Sequence, residues 1–115
     1  MEAQEIFDKV AAHLEQQRST SIEEGGTCMY RGAVGKMCAI GCLIPDDKYN
    51  RQMEYQGVTG PDVKPVLEEL GLYEHKKLLD DLQILHDKRD VQDWPDHLAN
   101  IARIFELKEY TRVWS

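Results

Sequence analysis

One short segment of this 115-residue chain restricts its fold more than any other. Between Cys28 and Tyr49 lie all three cysteines, three of the eight glycines and the uninterrupted apolar run Ala39-Ile40-Gly41-Cys42-Leu43-Ile44. An apolar run without a polar face belongs inside the protein, and its length alone does not separate a strand from a helical turn. We expect a short buried helix here, which Pro45 interrupts, and Asp46-Asp47 can cap another short helical piece that runs through Tyr49 and Met53.

The residues just before this run predict a small β-hairpin. Residues 28–31 and 36–38 are candidate short strands, and Gly32 to Gly35 supply a turn between them. The polar stretch from Arg18 to Gly26, which ends in a glycine pair, predicts a loop that leads into the hairpin.

Apolar residues recur at helical spacing through the rest of the chain. The pattern predicts helices over residues 3–17 and 60–70, a third through Leu78, Leu82 and Leu85, and a last one that starts near Trp94. The predicted fold class is therefore α+β but mostly α, with four or more helices and a small hairpin around residues 28–38. No linker interrupts the pattern, so we expect a single domain over residues 1–115.

Composition narrows the classes of partner. Acidic side chains number 21 against 14 basic ones, and the net charge of -7 repels a nucleic-acid backbone. No window approaches the roughly 18 apolar residues of a membrane span, and the N-terminus lacks the features of an export signal. Three cysteines without such a signal favour free thiols in the cytoplasm. We expect a cytoplasmic protein that binds neither nucleic acid nor membrane.

The cysteines suggest a nucleophile. Cys38 stands at the start of the predicted buried helix, where helix dipoles lower a thiol pKa, and His86 with Asp87 could act as base and orienting acid. This predicts a cysteine-dependent hydrolase or transferase. The alternative is structural: Cys38 and Cys42 are four residues apart and would share one buried helical face. No nucleophile signature surrounds Cys38, so we favour the structural interpretation.

Metal and cofactor motifs are not apparent. Cys28, Cys38, Cys42 and His86 could supply four ligands, but only Cys38 and Cys42 have a spacing near that of a zinc site. Gly32, Gly35 and Gly41 match neither a phosphate loop nor a dinucleotide fingerprint. We therefore expect no metal and no cofactor.

Polar residues that flank the apolar run form the candidate binding site. An arginine, an acid and aromatic edges are what a small-ligand pocket needs, and a neighbouring helix adds polar groups. The ligand- or partner-binding candidates are Tyr30, Arg31, Asp46, Tyr49, Gln83 and His86. The same residues could instead form an internal network, with Arg31 paired to Asp46 and His86 bonded to a backbone carbonyl.

Several phrases of the sequence are shared with a known group of proteins. They are the opening AQEIFDKVAAHL, YRG at residues 30–32, GKMCAIGCLIPD at residues 35–46, Tyr49, and LQILHD at residues 82–87. With these phrases the chain resembles a family of small uncharacterised proteins of tailed phages and prophages, from Ala3 to about Phe105.

The resemblance implies a phage accessory protein in the bacterial cytoplasm, with host takeover or anti-defence as its role. Its partner would be a host or defence protein, or a small ligand that it sequesters. The oligomeric state is left open by the sequence.

Overall fold

Helices dominate the computed structural model, which describes residues 1–23 and 28–114. The helices of this part of the chain are α1 (Ala3–Gln17), α2 (Lys64–Glu69), α3 (Lys76–Lys88) and α4 (Trp94–Ile104). Short 3-10 turns connect them, at Ala33–Gly35, Gly41–Leu43, Arg51–Met53, Tyr73–His75 and Val91–Asp93. Among the described residues, no helix combines the length and the apolar character that a membrane crossing requires.

Helices α1, α3 and α4 follow the apolar periodicity of the sequence. Helix α1 has the predicted bounds and buries one face, which includes Phe7 and Leu14. Its first turn is capped by Glu5, whose carboxylate accepts a hydrogen bond of 3.1 Å from the Glu2 backbone N–H. Helix α2 is shorter than the predicted 60–70. Residues 60–63 form turns instead, in which the N–H groups of Val63 and Lys64 both donate hydrogen bonds to the Gly60 carbonyl.

The core lies between α1, the α3–α4 pair and the central segment, which we define as residues 28–58. Helices α3 and α4 follow each other through a short turn and pack together, and α1 packs on the Gly41–Leu43 turn. Trp94, at the start of α4, is fully buried, and its indole N–H donates a hydrogen bond of 3.1 Å to the Arg89 carbonyl. The apolar run Ala39 to Ile44 is also largely buried, as expected, but its helical part is only one 3-10 turn.

The predicted hairpin around residues 28–38 is wrong. Its two halves meet in a single bridge between Arg31 and Met37, and a second isolated bridge joins Ile22 to Cys28. A hairpin needs backbone N–H groups directed at a neighbouring strand, but those of Tyr30 and Arg31 donate to the side chain of Glu54, at 2.7 and 3.1 Å. The fold class is therefore all-helical for the described residues, and the α+β prediction is corrected.

Gly41 shows how closely the central segment is packed. A Cβ atom at this position would lie 2.2 Å from the Tyr30 carbonyl oxygen, so only glycine fits. The neighbour that Gly41 admits is thus the backbone of Tyr30, where the sequence had suggested a helix. Of the predicted loop over residues 18–26, the glycine pair Gly25-Gly26 lies outside the described residues.

Glu54 connects residues 30 and 31 to residue 49 within the central segment. Its carboxylate is 6% exposed and also accepts a hydrogen bond of 2.6 Å from the Tyr49 hydroxyl. Three donors from residues 30, 31 and 49 therefore converge on one buried side chain. This arrangement holds an irregular chain in place without a sheet.

We predict that Glu54→Gln lowers the free energy of unfolding by about 1.5–3 kcal/mol, because an amide NH₂ would face N–H and O–H donors that now meet a carboxylate oxygen. Urea unfolding followed by circular dichroism measures the change. Glu68→Gln on the exposed side of α2 is the matched control and should change stability little. Equal unfolding midpoints for the two variants would contradict this role for Glu54.

Candidate functional site

A cleft of about 620 Å³ opens between the central segment and α3. Residues 28–30 and 55–58 form one wall, and the outward side of α3 forms the other. Its polar and aromatic lining includes Tyr30, Tyr55, Gln56, Asp80, Gln83, Asp87 and Lys88. The volume is that of a typical small-molecule site.

The first wall of the cleft is fixed by Tyr30. Its backbone N–H is held by Glu54, and its hydroxyl donates a hydrogen bond of 2.5 Å to the Gln56 carbonyl. Burial, with the nearby Cys38 thiol and Glu54 carboxylate, raises the pKa of Tyr30 well above its usual range. The phenol therefore remains a neutral donor, and residues 28–30 and 55–58 are joined into one surface.

The second wall is fixed by Gln83 on α3. Its side-chain oxygen accepts a hydrogen bond of 3.1 Å from the Ile40 N–H, and its amide nitrogen donates one of 2.7 Å to Asp87. One side chain thus ties α3 to the buried apolar run and orients Asp87 at the edge of the cleft. Both walls are held by hydrogen bonds that do not involve a ligand, so the cleft is pre-formed.

His86 lies behind the cleft and is fully buried. The Ser21 N–H donates a hydrogen bond of 2.9 Å to Nε2, which must therefore be an acceptor. The ring proton is then on Nδ1 and is donated to Asp87 at 2.7 Å. Both ring nitrogens are engaged, and the ring packs on Trp94 with 5.8 Å between centroids. The backbone partner of His86 is thus an N–H, where the sequence suggested a carbonyl.

Cys28 is the cysteine that lies beside this pair. Its sulfur, a ring nitrogen of His86 and a carboxylate oxygen of Asp87 all lie within 4.8 Å of one another. Such a trio resembles a metal site, but here the Nδ1 proton occupies the position that a metal would need, and the Nε2 lone pair is used by Ser21. The hydrogen bonding therefore favours a structural cluster.

The thiols are in environments that suppress reactivity. Burial, then the charge of Asp87 and its hydrogen bond, raises the pKa of Cys28. Burial raises the pKa of Cys38 to about 12, and Cys38 is only 1% exposed. Burial also raises the pKa of Cys42 to about 12, although this side chain is partly exposed. All three cysteines are free, and none has the lowered pKa that a nucleophile needs.

Arg31 belongs to a separate cluster. Its guanidinium donates to Asp46 at 2.7 Å and to the Ile44 carbonyl at 2.5 Å, and it lies 5.1 Å from the ring centroid of Tyr49. The Nε atom is buried and has no hydrogen-bond partner among residues 1–23 and 28–114. Burial and the hydrogen bond to Glu54 raise the pKa of Tyr49 to about 12.

The six candidate residues therefore fall into two groups. Arg31, Asp46 and Tyr49 lie outside the cleft lining: Arg31 pairs with the exposed Asp46, as the sequence offered as an alternative, and lies over the ring of Tyr49. Tyr30 and Gln83 line the cleft. His86 supports it from behind through Asp87.

Sequence reasoning missed several important side chains. Glu54 lies in the polar stretch Arg51-Gln52-Met53-Glu54, where nothing distinguishes it from a surface acid. Cys28 was considered only as a metal ligand, although it is the thiol beside His86 and Asp87. The wall formed by residues 55–58 carries no motif at all.

Comparison with protein-family models, with curated proteins and with solved structures gives no match for this chain.

We predict that Arg31→Ala lowers the free energy of unfolding by about 1–3 kcal/mol, because it leaves the Ile44 carbonyl without its donor and removes the cation from Tyr49. Asp46→Ala is the matched control: Asp46 is 94% exposed, and loss of such a surface pair should cost less than about 1 kcal/mol. Chemical denaturation of both proteins measures the difference. An unchanged midpoint for Arg31→Ala would contradict the internal role.

We predict that Asp87→Asn lowers the pKa of the Cys28 thiol, because the charge of Asp87 and its hydrogen bond both raise that pKa. The midpoint of the iodoacetamide rate against pH should move to lower pH, with the labelled cysteine identified by mass spectrometry. Asp80→Asn is the control and should leave the profile in place. Slow labelling of Cys38 in every variant reports that the fold is intact, and a Cys28 profile that does not move would refute the coupling.

Proposed function

We propose that this chain is a phage accessory protein that acts in the bacterial cytoplasm by sequestering a small polar ligand. The sequence resemblance to proteins of tailed phages supports the first part of this proposal. The pre-formed cleft between the central segment and α3 supports the second, and it is the observation on which the proposal depends.

The lining of the cleft suits binding. Carboxylates of Asp80 and Asp87 offer acceptors, Lys88 offers a donor, and the ring of Tyr55, which is 69% exposed, stands at the wall. A ligand with several polar groups on a small apolar frame would satisfy both the charged rim and the buried floor. Because both walls are already ordered, little conformational entropy is lost on binding.

The same geometry argues against turnover by the predicted nucleophile. Cys38 is buried with a raised pKa, and His86 has no ring nitrogen left to accept a proton. Cys28 contacts the acid of the cluster, which disfavours the thiolate. A cysteine-dependent hydrolase or transferase would need the opposite arrangement, with a free imidazole nitrogen beside an accessible sulfur.

Gly57 offers a way to block the cleft without disturbing the fold. It lines the cleft, and a Cβ at this position would have no other atom within 4 Å. We predict that Gly57→Phe keeps the melting temperature within a few degrees but reduces ligand occupancy by about tenfold or more. Native mass spectrometry of protein purified from expressing bacteria measures the bound mass, which denaturation should release.

Ala33→Phe is the matched control, since Ala33 is exposed on a turn outside the cleft lining. It should keep the wild-type occupancy. Wild-type protein without a bound small molecule would count against ligand sequestration. A bacterial protein retained by wild type and Ala33→Phe but lost from Gly57→Phe would replace the small ligand with a host partner at the same site.

A further inference from the structure

An apolar groove lies on the outer surface of the α3–α4 pair, on the other side of α3 from most of the cleft lining. Ile84 is 42% exposed and Ile104 is 60% exposed, and both line this groove. Ile101 and Leu85, which are almost fully buried, form its floor. Two large apolar side chains exposed in one groove are typical of an interaction surface.

The charges of the groove follow a regular order along α3. Asp81 on α3 and Arg89, the residue directly after its last turn, both line it, eight residues apart, with Leu85 midway between them. At the helical rise of about 1.5 Å per residue, this spacing corresponds to about 12 Å along the helix axis. Asp81 has only a long contact of 3.8 Å with Lys77, and Arg89 has no ion-pair partner within the described part of the chain.

We propose that this groove is the contact surface between two copies of this chain, related by a two-fold axis that passes near Leu85. Such an axis sets the two α3 helices antiparallel, so Asp81 of each copy faces Arg89 of the other, and Ile84, next to Leu85 in the sequence, lies close to the axis. A two-fold contact requires a surface complementary to itself, and an acid and a base placed symmetrically about an apolar centre meet that requirement.

The overall charge of the chain supports this choice of face. Two copies that each carry a charge of -7 repel each other over most of their surfaces. The groove lining holds one carboxylate and one guanidinium, so it is locally balanced. Two copies can therefore approach here with less repulsion than at an acidic face.

The charge pattern supplies a test that other modes of association would fail. Sedimentation equilibrium over a concentration series should show a wild-type dimer. Asp81→Arg and Arg89→Asp each place two like-charge pairs at the contact, and each should weaken the dimer by about tenfold or more. Asp81→Arg with Arg89→Asp in one chain restores both pairs and should restore the wild-type dissociation constant.

Mixing the two single variants is the decisive experiment. One copy then carries two positive charges and the other two negative ones, so both contacts are complementary, and a heterodimer should form from two proteins that are each monomeric. Val113→Glu, at an exposed residue outside the groove lining, is the control and should dimerise as wild type does. A monomeric wild type, single variants that dimerise normally, or a mixture that stays monomeric would each overturn the proposal.

Discussion

The carboxylate of Glu54 is the interaction on which the central segment depends. It receives the N–H groups of Tyr30 and Arg31 and the hydroxyl of Tyr49, and it is almost fully shielded from water. A buried carboxylate is costly unless donors surround it, so the surrounding chain is held in the one arrangement that supplies them. The same bonds place Tyr30 at the cleft and Arg31 over Tyr49. Backbone N–H groups that a sheet would pair with a neighbouring strand are here bonded to one side chain.

His86, Asp87 and Gln83 have a similar role on the other side of the cleft. Ser21, His86 and Asp87 form a chain of hydrogen bonds that joins the segment after α1 to α3. Gln83 then joins α3 to Ile40. Residue types that suggest catalysis are here used to fix irregular backbone, which cannot satisfy its own N–H groups as a helix does. The presence of these polar side chains is therefore largely a consequence of the irregular backbone that they hold in place.

The parts of this fold that the sequence predicted are those set by local periodicity. Helix α1 was predicted at its observed bounds because Ile6, Val10 and Leu14 repeat at helical spacing over fifteen residues. The hairpin failed because local strand and turn signals around Gly32 cannot reveal an acceptor 23 or 24 residues away in Glu54.

The candidate site was predictable to a similar extent. The Arg31–Asp46 pair was anticipated from charge and proximity to the buried run. The cysteine beside His86 is Cys28 and not Cys38. The path of the chain between α1 and α3 decides which cysteine lies there, and the sequence shows no periodic signal over that stretch. Glu54 carried no signal because its environment, and not its neighbours in sequence, makes it special.

Helix α3 links the two proposed binding surfaces. Asp80, Gln83 and Asp87 line the cleft, Asp81 and Leu85 line the groove, and Ile84 lines both. A second copy seated on the groove would cover Ile84 and thereby alter one rim of the cleft. Any ligand that contacts Ile84 would then favour one association state over the other, and by thermodynamic reciprocity the association state would change the affinity for the ligand by the same factor. Ile84, which both surfaces share, would in this way couple the proposed ligand capture to the proposed self-association.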